Sequence, residues 1–387
     1  MKTVRANRIR ALVKLLCISA VMIPVFAKTS SNLDEWSELK SGRQIYRAAC
    51  STCHGSSGTG ASRAELGFET EVPDFTDCDF TSREPHGDWV GIVTEGGPTR
   101  GFDRMMPAFG GGLRDDQIDR VVSHVKGFCK DKHWPPGEFN IPRALKTGKA
   151  YPEDEFVWFL ECTVEEPVKF VGKFIVEKRL GKRQQIEVMI PVGVQQLEVT
   201  DDIGGVSGYR VGEGIGDVAL AWKGVLWHHL PAGTIGSLAA EVFFPTGDEK
   251  DGFSDGIFKF EPFLAIGQLI PGDNFVQLQA GAELSTKTSV AKHEVFWRGA
   301  VGHTFTQGTF GRAWSPIVEV LGSKEIEDGS EIEWNIVPSL HLTLNARQHI
   351  MLNIGASIPV NDFSGRQITV MASLLWDFFD GGFAEGW

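Results

Sequence analysis

From Glu155 to the C-terminus, apolar residues occupy every second position. Over 331–345, Ile332, Trp334, Ile336, Leu340, Leu342 and Leu344 share one face, while Glu333, Asn335, Ser339, His341, Thr343 and Asn345 share the other. The alternation recurs over 348–360, 366–379 and 275–284. Period two is the mark of a strand with one apolar and one polar face, and the pattern predicts about twelve strands of roughly 10–14 residues. Globular strands usually stop near five or six residues, whereas tilted strands of about 9–11 residues cross a bilayer. Several Trp residues fall near predicted strand ends, and the chain closes on Trp387, as in the aromatic girdle of a membrane barrel. A soluble β-sandwich or lipocalin-like barrel would need more interrupted strands and less exposed apolar surface.

Ahead of this region the period is helical. Leu39, Ile45, Ala48 and Ala49 form one stripe, and Ile118, Val121, Val122, Val125 and Phe128 another. Residues 33–132 read as a small all-α domain, with glycine- and proline-containing loops between its helices. Pro135-Pro136-Gly137, Pro142 and Pro152 then break any regular element, so 133–154 reads as a Pro-rich linker, extended and partly packed on its neighbours. The expected fold class is therefore multidomain: a small all-α domain followed by an antiparallel transmembrane β-barrel of about 12 strands over 155–387.

Composition agrees with this division. The 387 residues are enough for two or three domains, and 45 Gly with 26 Phe and 11 Trp suit β-architecture. Residues 1–27 read as a signal peptide, with Lys2, Arg5, Arg8 and Arg10 ahead of an apolar run from Leu15 to Phe26 and a small-residue site at Ala27. The run is too short for an ordinary transmembrane helix. Removing these residues takes the net charge from −12 to −17, because they hold five basic residues and no acidic ones. So acidic a chain excludes nucleic acid as a partner and favours cationic proteins or metal cations. Glu283, Glu319, Glu331 and Glu333 are acidic candidates for a lumen that favours cations, with solvated polar faces as the ordinary explanation.

The candidate chemistry lies at Cys50-Ser51-Thr52-Cys53-His54. Two thiols separated by two residues reach the two vinyl groups of one porphyrin, and the following histidine then lies beneath the iron. The expected cofactor is one covalently bound haem c, held by Cys50 and Cys53, with His54 as an axial ligand. A zinc site or a redox-active thiol pair is the alternative for an isolated match. Export favours the haem, since c-haem is attached outside the cytoplasm.

The surroundings of the motif, Gly42-Arg43-Gln44-Ile45-Tyr46 and then Gly55, Gly58 and Gly60, resemble small monohaem cytochromes c of class I type. Met105-Met106-Pro107-Ala108-Phe109-Gly110 resembles the methionine loop of that family, which places the sixth ligand just before the proline. The resemblance therefore implies Met106, with Met105 and His86 as rivals. It also implies that a carbonyl in Val72-Pro73-Asp74-Phe75, at Pro73, accepts from the second nitrogen of His54. Trp89 is a candidate to face a haem propionate or to sit in the core. Arg63, Arg83, Arg100 and Arg104 are candidates for propionate pairing or solvated charge. A Met/His pair fills both axial positions, which suits electron transfer and not oxygen activation. Of the remaining cysteines, Cys78 and Cys129 are one candidate pair and Cys129 with Cys162 another.

The C-terminal region, through Gly214-Ile215-Gly216-Asp217, Phe244-Pro245-Thr246-Gly247-Asp248 and the ending Leu375-Trp376-Asp377-Phe378-Phe379-Asp380-Gly381-Gly382, resembles the outer-membrane barrel family of the MetA pathway of phenol degradation. The overall arrangement is similar to the fused cytochrome–porins of iron-oxidising bacteria. These resemblances imply a one-electron carrier anchored in the outer membrane of a Gram-negative bacterium. Its partners would be a periplasmic or extracellular electron donor and acceptor, among them other cytochromes or ferrous iron, and membrane lipid. A porin or transporter with a cytochrome cap is the second reading. If the chain is an enzyme, it is a ferrous-iron-oxidising oxidoreductase.

Twelve tilted strands give a backbone radius near ~12 Å and a lumen roughly 14 Å across. A 100-residue domain is about 30 Å wide. The helical domain is therefore expected outside the lumen, capping the periplasmic mouth where an even strand number places both barrel ends.

Overall fold

The computed structural model describes residues 38–67, 71–200, 205–307, 312–361, 363 and 365–377. The expected signal peptide and Trp387 lie outside these residues. The described residues from Ser41 onward belong to one compact unit, the second of two in the chain. The second unit contains both the helices and the barrel.

The helical part begins at Ser41, whose side chain accepts from Gln44 N while the Gln44 side chain accepts from Ser41 N at 3.0 Å. This reciprocal capping starts a rod, α1, made of Gly42–Ile45, a π-turn at Tyr46–Cys50 and a last turn at Ser51–His54. The short helices α2 (Arg63–Leu66) and α3 (Cys78–Thr81) lead to α4 (His86–Glu95) and α5 (Asp115–Lys126). The predicted apolar stripe of α5 is its buried face: Ile118, Val121, Val122 and Val125. It packs on α1 at Gly42, where a β-carbon would lie 2.1 Å from Arg120 O. Only glycine lets the two backbones come so close. A disulfide joins Cys78 on α3 to Cys129 just after α5, leaving Cys162 free.

The barrel strands are β1 (Glu155–Thr163), β2 (Lys169–Leu180), β3 (Gln184–Thr200), β4 (Val206–Ile215 and Val218–His229), β5 (Thr234–Phe244), β6 (Lys259–Ile270), β7 (Asn274–Ser285), β8 (Glu294–His303 and Phe305–Gln307), β9 (Arg312–Glu325), β10 (Glu333–Thr343), β11 (Ile350–Pro359) and β12 (Thr369–Asp377). The ladder has 14 segments, but two pairs of them are single strands interrupted at Gly216-Asp217 and at Thr304, which leaves twelve. Each pairs antiparallel with its neighbours, and β12 closes on β1 with Glu155 opposite Asp377. The predicted alternation fits this closure. Outward positions such as Trp158, Phe174, Ile190, Leu278, Val320 and Ile354 are exposed apolar residues.

Tight turns join β2 to β3, β4 to β5 and β6 to β7, and residues 344–349 join β10 to β11, all at the end where β1 starts and β12 stops. The helical domain docks on this end. Arg347 Nη2 donates to Gly101 O at 2.9 Å, and Gln348 Nε2 donates to Asp88 Oδ1 at 2.9 Å. Asp154, just before β1, accepts from Arg83 of the helical domain and from Lys178 of β2, each at 2.6 Å. Arg83 and Arg100 are therefore not solvated charges. Arg100 is buried and pairs with Asp88 at 2.8 Å.

Residues 139–154 pack on their neighbours by folding into the lumen as a hairpin-like loop. Phe139, Ile141, Ala144, Leu145, Ala150 and Tyr151 are each buried within three apolar clusters whose other members line the barrel wall. The apex reaches Glu161, six residues up β1, where Lys146 pairs with it, about 20 Å along the strand. The helical domain docks at the barrel mouth, and the interior takes in the segment expected to be an extended linker partly packed on its neighbours.

Candidate functional site

The motif cysteines fall on the last turns of α1. The π-turn at Tyr46–Cys50 ends on Cys50, and such bulges recur at functional sites because they re-aim the following side chains. Tyr46 is fully buried, and its hydroxyl donates to His54 O at 3.1 Å and Gly55 O at 2.7 Å. Those two bonds fix the backbone where the helix stops. Cys50 and Cys53 are half-buried and unbridged. Burial, reinforced by Cys53, pushes the Cys50 thiol up to about 11, and burial pulls His54 down to about 4. His54 is thus a neutral imidazole with a lone pair to offer.

The ring of His54 stacks on Phe75 with centroids 4.7 Å apart. Phe75 N donates to Gly58 O at 2.7 Å, which pins the 71–75 segment against the turn after the motif. Trp89 of α4 packs edge-on against both Phe75 and Phe80 at 5.7 Å, with its indole nitrogen buried and unpartnered among the described residues. Trp89 is thus a core aromatic beside the motif. His54 Nδ1 is likewise buried without a partner, so the Pro73 carbonyl does not accept from it here. Pro73 does lie in the segment that lays Phe75 on the imidazole.

The methionine loop folds back on the residues after α4. Gly97 N donates to Met106 O at 3.0 Å, and a β-carbon on Gly97 would lie 2.4 Å from Asp103 O and 3.2 Å from Met106 Cβ. Met105 is 46 % exposed, whereas Met106 is half-buried. The rival His86 is committed elsewhere, its Nε2 2.8 Å from Asp119 Oδ1.

Residues 37–125 match the family described as Cytochrome C oxidase, cbb3-type, subunit III. The helical domain is a cytochrome domain. No curated protein matches the chain. Among solved structures, an outer membrane channel from Pseudomonas putida F1 is 12% identical, covering 59% of this chain and 96% of its own, with a TM-score of 0.40. The KdgM porin is 10% identical over 58% of this chain and 99% of its own, with a TM-score of 0.38. The KustC0563 c-type cytochrome is 24% identical over 24% of this chain and 100% of its own, with a TM-score of 0.20. The barrel itself is established by its strand ladder. The chain therefore joins a cytochrome domain to a closed twelve-stranded barrel.

A cytochrome c domain implies covalently bound haem c, and the residues present fit that group. Two unbridged thiols stand one helical turn apart, a neutral imidazole follows them, and a buried imidazole nitrogen is still without a partner. Among the described residues no other histidine follows a C-x-x-C pair.

Below the cytochrome domain, a cavity of about 810 Å³ separates α4 from the barrel mouth; His86, Asp88, Arg100, Arg143, Lys149 and His341 are among its walls. The loop in the lumen begins at its floor. Glu319 on β9 is fully buried, yet accepts from Leu145 N at 2.8 Å, Lys146 N at 3.1 Å, Thr147 N at 2.7 Å and Thr147 Oγ1 at 2.7 Å. Its carboxyl oxygens are taken up by the loop and are not turned to an open lumen. Glu331 lies in the loop before β10, outside the lumen wall. Glu153, Glu155 and Glu177 bring carboxylate oxygens within 4.8 Å of one another, but Arg143 lies among them, bonded to Glu155 and 2.6 Å from Glu177. A guanidinium already neutralises that cluster. Sequence reasoning missed Arg143 and Glu319 as partners, because their contacts span up to 174 residues.

Proposed function

We propose that this chain is an electron carrier held in the outer membrane by its own barrel, with one haem c bound through Cys50 and Cys53 and ligated by His54 and Met106. Such a group supplies one reversible electron. Tyr46 and Phe75 hold the His54 side of the site, and Gly97 sets the approach of the Met106 loop. Trp89 and Phe80 extend the apolar wall and keep water away, which favours a Met/His site over an open one. The reading is supported by the cysteine pair, His54 and the Met106 loop lying in one cytochrome domain. The exposed apolar outer face of the strands suits lipid, and the cytochrome domain docks on the short-turn end, which in outer-membrane barrels faces the periplasm.

The loop in the lumen favours a carrier over a porin. Apolar clusters built around Phe139, Ile141 and Leu145 pack the loop against the wall of the lower barrel and narrow any path for solutes. Electron partners therefore meet the cytochrome domain from the periplasmic side, or donate from the far side without passing through.

The purified oxidised protein is expected to show c-type haem bands and a weak ferric band near ~695 nm from methionine ligation. Met106→Ala abolishes that band and lowers the potential, while Met105→Ala preserves both. Loss of the band in Met105→Ala but not in Met106→Ala would overturn the ligand assignment. Stopped-flow reduction by ferrous iron and by small periplasmic cytochromes distinguishes the donors.

A further inference from the structure

The inward faces of neighbouring strands carry glutamates in register. Glu155 on β1 is opposite Glu177 on β2, and Glu177 is opposite Glu187 on β3. Glu187 is opposite Ala221 on β4, Ala221 is opposite Glu241 on β5, and Glu241 is opposite Glu261 on β6. Farther round, Glu283 on β7 is opposite Glu294 on β8. Because strands tilt in a barrel, a row along the ladder climbs as it winds around the lumen. Like charges placed directly opposite are destabilising in a sheet, so each pair needs a counter-charge.

At the lower end the loop supplies it. Arg143 bonds Glu155 and Glu177, and Lys149 pairs with Glu153. At the upper end Lys259 lies 3.3 Å from Glu283, and Ser323 hydrogen-bonds to Glu294. Between them, Glu187, Glu241 and Glu261 have neither, and of these Glu241 and Glu261 stand directly opposite each other. Glu261 is 9% exposed, and neither residue makes a hydrogen bond or ion pair among the described residues. The basic groups whose fields reach them are bonded elsewhere: Lys173 to Glu161 at 3.1 Å, and Arg298 to Lys146 O at 3.1 Å and Gln279 Oε1 at 3.3 Å.

We propose that Glu241 and Glu261 form a divalent-cation site in the barrel lumen. Directly opposed residues place their β-carbons about 5 Å apart, a span that one cation with oxygen ligands bridges. Two carboxylates and water suit a hard cation of the Mg²⁺, Ca²⁺ or Mn²⁺ class, not a thiophilic one. The site goes beyond electron transfer, since it requires no haem.

The test uses Mn²⁺ and the full chain in detergent after chelator treatment. Free Mn²⁺ is followed by electron paramagnetic resonance, and heat of binding by calorimetry. One Mn²⁺ is expected to bind per chain at micromolar to submillimolar concentration. Glu241→Gln/Glu261→Gln should weaken it at least tenfold, with Glu261→Gln alone intermediate. Glu327→Gln, in an exposed loop pair with Lys292, should leave it within twofold. Because glutamine removes repulsion without changing shape, the double variant should also melt higher in chelator than wild type. No binding up to millimolar Mn²⁺, or equal binding by wild type and the double variant, overturns the site.

Discussion

Single residues carry much of the tension in this molecule. Glu319 gathers three backbone N–H groups and a hydroxyl of the loop at a fully buried position. Leaving a buried donor without its acceptor costs about 1–3 kcal/mol, because the group has lost both bond and solvent. Glu319→Ala should therefore free the loop apex while the strands stay paired. Hydrogen exchange of the 145–147 amides is the readout: fast exchange there with slow exchange in β9 is the expected pattern, and equal protection to wild type would contradict it. Gly42 is a second such point. Gly42→Ala forces the α1–α5 crossing apart and should cost at least about 1–3 kcal/mol in the cytochrome domain, read as a lower midpoint in thermal melting at the haem absorbance. The importance of Gly42 is visible in the sequence only as one glycine in a helical stripe. The bond pattern of Glu319 is not visible at all, since its partners sit 172–174 residues away.

At the scale of elements, legibility followed periodicity. The stripe of α5 and the alternation of β10, β11 and β12 were plain because one period ran unbroken across each. The loop in the lumen was opaque because its prolines mark an extended connector without showing which neighbours it packs on. What distinguishes it is the wall it meets, and that wall is scattered over most of the strands. The same distance hid Asp154, which joins Arg83 to Lys178. Burial alone would raise its carboxyl, but the bonds from Lys178, Arg83 and the Arg179 amide hold it below its ordinary 3.8. Its stabilisation is therefore complete above that ordinary value and fades as pH falls through the depressed one. Docking of the cytochrome domain should loosen below about pH 4, while Asp154→Asn loosens it already at neutral pH and flattens the pH profile. Protease cutting near residue 133 as a function of pH reports the undocking. Within the cytochrome domain, the Cys78–Cys129 bond closes a loop with a sequence separation of 51 residues. Loop-closure entropy of that length gives about 4 kcal/mol. Cys78→Ser/Cys129→Ser should lower the denaturation midpoint of the haem signal accordingly and leave the barrel unfolding unchanged.

The whole molecule is a closed barrel with its own connector for a core. Reconstituted into planar bilayers, the wild-type chain should pass little or no current. Deleting 143–149 should open steps of conductance with cation preference, because the lower glutamates then lose Arg143, Lys146 and Lys149. A wild-type chain that conducts freely would sink the sealed-anchor reading and favour the porin. The cytochrome domain and the barrel were separable on the page of sequence because their periods differ. Their union was not, because the contacts that make it, such as Arg347 to Gly101 and Gln348 to Asp88, are single side chains in turns with no pattern of their own.

The loop enters the lumen at Phe139 and comes back to the same rim at Glu155, where the first strand begins. Both of its ends therefore leave by one mouth, and nothing is threaded from one side of the wall to the other. The cytochrome domain can fold and receive its cofactor first, and the last strand can then seam onto the first around a loop already in place. The barrel is closed around its contents the way a sleeve is sewn around a finger, and the finger can be drawn out without cutting a stitch.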